Sequence, residues 1–214
     1  MRFAIVRTGI ANVASVKAAF KRLGIETYLV ESPDELEEPD AVVLPGVGAF
    51  GAGVEVITSR GWSDLFAERF ANDQPTLAIC LGMQLLCQES AEATGEQGLG
   101  ILPAKIEKFP DSVVVPQFGW NQVVSNGKWF KDGYVYFANS YYLPVEDQLV
   151  DSDWELLTAN HGVDFVAAAA RGNWLACQFH PELSGDYGLN LLKRWVGRFS
   201  DRDLNESKSE TLSC

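Results

Sequence analysis

The sequence predicts an α/β fold: a doubly wound, mostly parallel central sheet flanked by helices, with an additional partly antiparallel sheet. Three observations predict it. In the first half of the chain, short apolar runs alternate with amphipathic helical patterns, as parallel strands joined by crossover helices do. From Val113 onward, short aromatic and β-branched runs are separated by turn signals at Asn126-Gly127, Asp132-Gly133 and Arg171-Gly172-Asn173, which favours antiparallel pairing. The chain has 214 residues, 47% of them hydrophobic, which suffices for one domain with a full core and leaves no room for a second large one.

Phe3–Val6 reads as the first strand. Asn12 caps a helix whose Val13, Val16, Phe20 and Leu23 share one face, and Gly24 closes it in the left-handed position. Glu26–Val30 and Ala41–Leu44 supply two more strands, Ser63–Phe70 a helix, and Thr76–Ile79 a strand that runs straight into Cys80. Leu81–Glu89 reads as the next helix. Trp174–Phe179 is a strand leading to His180, and Leu189, Leu192, Val196 and Phe199 mark the core face of a closing helix. The domain therefore spans 1–200. The polar residues 201–214 show no periodicity and are expected to be a mobile tail.

A formal net charge of −12 argues against a nucleic-acid surface, because lysines and arginines that displace counterions supply most of that affinity. No apolar stretch reaches membrane-spanning length, and Phe3–Val6 is too short for a signal peptide, so a cytoplasmic protein with no membrane partner is expected. The four cysteines, at positions 80, 87, 177 and 214, are too sparse for a disulfide scaffold and are judged singly as thiols. A zinc site built on Cys177 and His180 would need two further ligands at suitable spacing, and none is evident, so neither metal nor cofactor is expected.

Leu77-Ala78-Ile79-Cys80-Leu81-Gly82-Met83-Gln84 sets a cysteine between an apolar strand and an apolar helix, with glycine two residues later. This is a nucleophile-elbow pattern: a sharp turn exposes the side chain at the strand's carboxyl end, Gly82 keeps the approach uncrowded, and the helix directs its positive end toward sulfur. Taken alone, Cys80 fits a small buried core residue equally well. Gln178-Phe179-His180-Pro181-Glu182 places an imidazole and a carboxylate after another apolar strand, in a chain with only two histidines. His180 can take the thiol proton and return it to a leaving amine, while Glu182 fixes the tautomer and stabilises the imidazolium. An isolated His-Pro-Glu would read as a surface turn; the cysteine elbow makes catalysis the better reading. Pro45-Gly46-Val47-Gly48 is a second strand-to-loop junction whose amides can approach a ligand, although a plain turn explains it too. The Leu81 amide is the other oxyanion donor by elbow geometry, with Val47 or Gly48 opposite.

Taken together, these three segments resemble the class I, triad-type glutamine amidotransferases along nearly the full chain. Within that class, Pro116-Gln117-Phe118-Gly119-Trp120-Asn121 and Tyr136-Phe137-Ala138-Asn139-Ser140-Tyr141-Tyr142 are similar to the amidotransferase subunits of imidazole glycerol phosphate synthases. The resemblance implies that Cys80 forms a glutamyl thioester and that Gly46, Gly48, Gln84, Ser140 and Tyr141 help hold L-glutamine. It also implies that Asn12, Phe118 and Trp120 face a TIM-barrel cyclase in a heterodimer, into which ammonia passes for histidine biosynthesis. Four positions depart from that subunit's pattern: Ala11 in the amino-terminal Gly-Asn element, Gln117 and Asn139 where histidines are usual, and Leu183 in place of a lysine. They lie near the family's partner-facing surface and leave open a paralogue serving another amidation pathway, such as surface-sugar modification. A cysteine hydrolase fits less well, since Ala78 stands where its elbow has glycine and the acid follows His180. A non-catalytic partner-binding homologue is disfavoured by the intact triad. Cys87 and Cys177 read as core residues, His161 as a surface residue, and Trp120 as either a core or an interface aromatic.

Overall fold

The computed structural model describes residues 1–9, 12–125, 127–150 and 152–200. Ala11, the Asn126 half of one turn signal and the tail 201–214 with Cys214 lie outside the described residues. In chain order the elements are β1 (Arg2–Val6), α1 (Val13–Arg22), β2 (Glu26–Val30), β3 (Ala41–Gly46), α2 (Phe50–Ser59), α3 (Trp62–Ala71), β4 (Thr76–Cys80), α4 (Leu81–Leu85), β5 (Cys87–Ser90), β6 (Leu102–Lys108), β7 (Gln117–Ser125), β8 (Gly133–Asn139), β9 (Tyr141–Pro144), α5 (Asp147–Val150), β10 (Glu155–Asn160), β11 (Asp164–Arg171), β12 (Trp174–Cys177) and α6 (Gly185–Ser200).

The main sheet runs β2-β1-β3-β4-β12-β11-β10-β7-β8. From β2 to β12 the neighbours are parallel. From β12 to β8 they are antiparallel, so most of the antiparallel part continues the same sheet. The short strands β5, β6 and β9 branch from it, β9 pairing with β11. Because side chains alternate along a strand, β1 sends Phe3 and Ile5 to one face and Ala4 and Val6 to the other. Val16 and Phe20 of α1 and Leu192, Trp195 and Phe199 of α6 close the first face; Val54 of α2, Phe66 of α3 and Leu81 of α4 close the second. Both faces of the parallel half are therefore buried, which is why its strands read as unbroken apolar runs.

Asn12 caps α1 as expected, its side chain accepting from the Ser15 amide at 3.4 Å. Three sequence readings need correction. The helix expected over Leu81–Glu89 ends at Leu85, because the Leu99 and Leu102 amides take the carbonyls of Leu85 and Leu86 and Gly98 bonds Gln88, drawing Cys87–Ser90 into a strand. The buried stripe of α6 is Leu191, Leu192, Trp195 and Phe199, with Leu189 and Val196 only half-buried at its margins. The strand after Trp174 stops at Cys177, leaving Gln178 and Phe179 in the segment that leads to His180. Cys87 and Cys177 are fully buried, and burial pushes both thiols up. His161 is half-buried, with its ring 2.8 Å from the Val114 carbonyl. No helix among the described residues is long and apolar enough to cross a membrane.

Candidate active site

Three adjacent parallel strands end side by side, and each delivers one part of the site. Gly46 at the end of β3 is the register partner of Cys80 at the end of β4, and Cys177 at the end of β12 is that of Ile79. The oxyanion candidates, the thiol and the segment carrying His180 thus meet at one sheet edge, where open α/β sheets place ligands.

Cys80 sits at φ 54, ψ −112, the strained turn that the elbow pattern requires. Gly82 makes that turn possible: a Cβ there would lie 2.0 Å from the Leu44 carbonyl oxygen, so the elbow rests directly on the backbone of β3. Leu81, buried, opens α4 with its amide at the first position after the nucleophile. Five residues of helix supply less dipole than the longer one expected. A side chain not singled out in the sequence supports the sulfur instead. Gln178, fully buried, donates through Nε2 to Cys80 Sγ at 3.7 Å and accepts from Gln84 Nε2 at 2.9 Å. Its sequence signal was an uncharged polar residue ending an apolar run beside His180.

His180 is buried and meets Glu182 through Nδ1 and Oε1 at 2.9 Å, with the Glu182 side chain only 3% exposed. Burial by itself lowers the His180 pKa, but hydrogen bonds to Cys80 and Glu182 outweigh it and raise the value to about 10. The imidazole is therefore held protonated beside sulfur. The loop behind it is stapled to β8: the His180 amide donates to the Tyr136 carbonyl at 3.0 Å, and Ser184 Oγ donates to the His180 carbonyl while accepting from the Tyr136 amide.

The remaining candidates group around these. Gly46 is locked in the ladder, and only Gly48 of the pair adopts a left-handed φ, 102°, next to the half-buried Val47. Phe50, where the loop enters α2, donates its amide to Glu92 at 2.7 Å. Gln84 donates to the Tyr141 carbonyl at 3.3 Å as well as to Gln178, which sets the Tyr141 backbone, next to the half-buried Ser140, beside Gln84. Asn12 is exposed beyond the end of β1. Phe118 and Trp120 are 73% and 57% exposed, and both pack edge-on to Tyr136, so the core reading of Trp120 fails. Of the departures from the family pattern, Leu183 is exposed, whereas Gln117 and Asn139 are buried one residue inward from the surface and are register partners.

Residues 5–196 match the family model of glutamine amidotransferase class-I. The imidazole glycerol phosphate synthase subunit HisH of Nostoc punctiforme is 38% identical over 210 residues, covering 93% of this chain and 97% of that one. The imidazole glycerol phosphate synthase hisHF, chloroplastic, of Arabidopsis thaliana is 37% identical over 195 residues, covering 88% of this chain; the chain spans 33% of that protein's length. Among solved structures, a glutamine amidotransferase superposes with a TM-score of 0.71 at 22% identity, covering 91% of this chain and 98% of the other, a likeness in fold alone.

Proposed function

The chain belongs to the glutamine amidotransferase class-I family, and on that premise we propose that it is the glutaminase subunit of an imidazole glycerol phosphate synthase. In this reading it works in the cytoplasm and passes ammonia to a TIM-barrel cyclase for histidine biosynthesis. The relatives named as subunits of that synthase support the pathway. The longer Arabidopsis protein supports a partner beyond the length matched here. The observation that supports the chemistry is the His180–Glu182 pair, 2.9 Å apart, on the segment that follows β12, the strand neighbouring the one that ends at Cys80.

The steps follow from the geometry. Cys80 Sγ, its proton passed to His180, attacks the side-chain amide carbon of L-glutamine. The oxyanion forms against the Leu81 amide and an amide of Val47 or Gly48. His180 gives its proton to the departing nitrogen, releasing ammonia and leaving a glutamyl thioester. A water molecule then loses a proton to His180 and hydrolyses the thioester to glutamate, restoring the thiol pair. Gln84, Ser140, Tyr141 and Gly46 hold the amino-acid end of the substrate, and Gln178 ties Gln84 to the sulfur.

The exposed Phe118 and Trp120 lie beside the His180 loop and, with Asn12, form the surface proposed to face the cyclase. Gly48 provides the pivot by which docking turns the oxyanion amide into place. One such donor is worth about 3–4 kcal/mol, so the complex is expected to release glutamate roughly a hundred- to a thousandfold faster than the free subunit. Glutamate release is measured with and without a cognate cyclase and acceptor analogue, using Cys80→Ala as the blank. Release by the blank would remove the thiol from the reaction, and equal turnover in the two conditions would remove the gate.

A further inference from the structure

Resting on that function, we propose that Gln117 and Asn139 form a buried binding site for one molecule of neutral ammonia, set between the thiol and the exposed aromatic face. The two side chains are register partners across β7 and β8 and are 5% and 6% exposed. Gln117 Nε2, Gln117 Oε1 and Asn139 Oδ1 have no hydrogen-bond partner among the described residues. Exchanging the Gln117 amide atoms changes nothing, since both ends lack a partner. Asn139 is oriented by Nδ2, which donates to the Tyr141 carbonyl at 2.9 Å.

Buried amides of this kind are costly unless a small guest completes them. The set available is one amide nitrogen that donates and two oxygens that accept, so the guest must accept at least once and donate at least twice. Ammonia does so with its single lone pair and three N–H bonds. Ammonium has no lone pair and leaves the Gln117 N–H unmatched, so the site prefers the neutral, nucleophilic form. Water also fits the count, and the experiment must separate the two.

Position favours ammonia. Asn139 and Gln84 donate to the same Tyr141 carbonyl, Gln84 donates to Gln178, and Gln178 donates to Cys80 Sγ. A continuous line of hydrogen bonds therefore joins the pair to the sulfur at which the amide nitrogen is released. On the outer side, Gln117 is followed directly by Phe118, 73% exposed on the surface proposed to face the cyclase. The site thus holds the product at the point of transfer.

The test is Gln117→Met in the assembled complex, measuring glutamate released per acceptor aminated and, in the same preparation, synthesis driven by ammonium chloride. The wild-type complex is expected to release one glutamate per product. The variant is expected to release about threefold to tenfold more, the factor carried by one hydrogen bond, with ammonium-driven synthesis intact and a melting temperature no lower than wild type. A ratio that stays at one shows a structural water only and overturns the proposal. A ratio that rises together with loss of ammonium-driven synthesis places the defect in the partner and also overturns it, as does a variant that melts early or fails to fold, because the amide is then needed by the protein itself. Absence of coupled turnover in the wild-type complex would instead defeat the function on which the proposal rests.

Discussion

Gly82→Ala is the substitution whose effect the geometry fixes most tightly. The new Cβ would stand 2.0 Å from the Leu44 carbonyl oxygen and 3.0 Å from its carbon, both backbone atoms in the middle of a buried parallel ladder. Real Cβ atoms essentially never come closer than 3.0 Å, so elbow and strand must separate by about 1 Å. Misplacement by that distance costs roughly a hundredfold when reacting groups must lie in a near-attack geometry, or about 2.7 kcal/mol of activation free energy. Overpacking adds about 1–3 kcal/mol of lost stability, which in a domain of this size lowers the melting temperature by roughly 2–12 °C. Glutamate release at saturating glutamine reads the first effect, thermal unfolding the second, and alkylation of Cys80 checks that the thiol stays reachable. A Gly82→Ala enzyme turning over within threefold of wild type would refute the claim that this contact sets the position of the sulfur.

Glu182→Gln is expected to cut turnover by roughly 10²- to 10⁴-fold, since the imidazole loses the group that orients it and stabilises its charge. It should also lower the His180 titration midpoint from about 10, which NMR can follow because only His161 shares the spectrum. A folded pKa raised above the ordinary 6.5 stabilises fully below pH 6.5, and that stabilisation is lost as pH rises toward about 10. Melting curves of wild type and Glu182→Gln should therefore differ most near pH 6 and converge near pH 10; a pH-independent gap would contradict the assignment. Trp120→Ala, which removes an exposed aromatic beside the His180 loop, should weaken cyclase docking by about 2 kcal/mol, roughly thirtyfold in Kd, without lowering the melting temperature of the free subunit. An unchanged Kd by calorimetry would take Trp120 out of the interface.

Much of the site was legible because local patterns encode it. An apolar run, a cysteine and a glycine two residues later define a strand, a turn and a clearance, although the Leu44 carbonyl that fills the clearance belongs to a strand far away in sequence. His180 and Glu182 were readable because they are two residues apart on one loop. Helix α2 was missed: Phe50, Gly53, Val54 and Ile57 have helical spacing, but two glycines and four β-branched residues within it weaken the local preference that packing on the sheet overrides. Helix α4 was read too long because nothing within Leu81–Glu89 announces that amides from residues 98–102 will claim its carbonyls. In α6, Leu191 and Trp195 went unnamed because several apolar residues in succession allow more than one face until the sheet selects it. That Gln117 and Asn139 oppose each other is a property of strand register, set by the β7–β8 pairing and invisible in either segment alone.

The three neighbouring strand ends have a consequence for how this protein fails. Oxyanion loop, nucleophile and base are carried by successive strands of one buried parallel ladder, and no boundary between separately stable parts runs between them. Warming or denaturant that breaks this ladder therefore separates thiol, base and oxyanion loop together, and inactivation accompanies collapse of the core. A copy inactivated by this route is an unfolded chain, available to proteases, and its hydrolysis of glutamine ends with its fold.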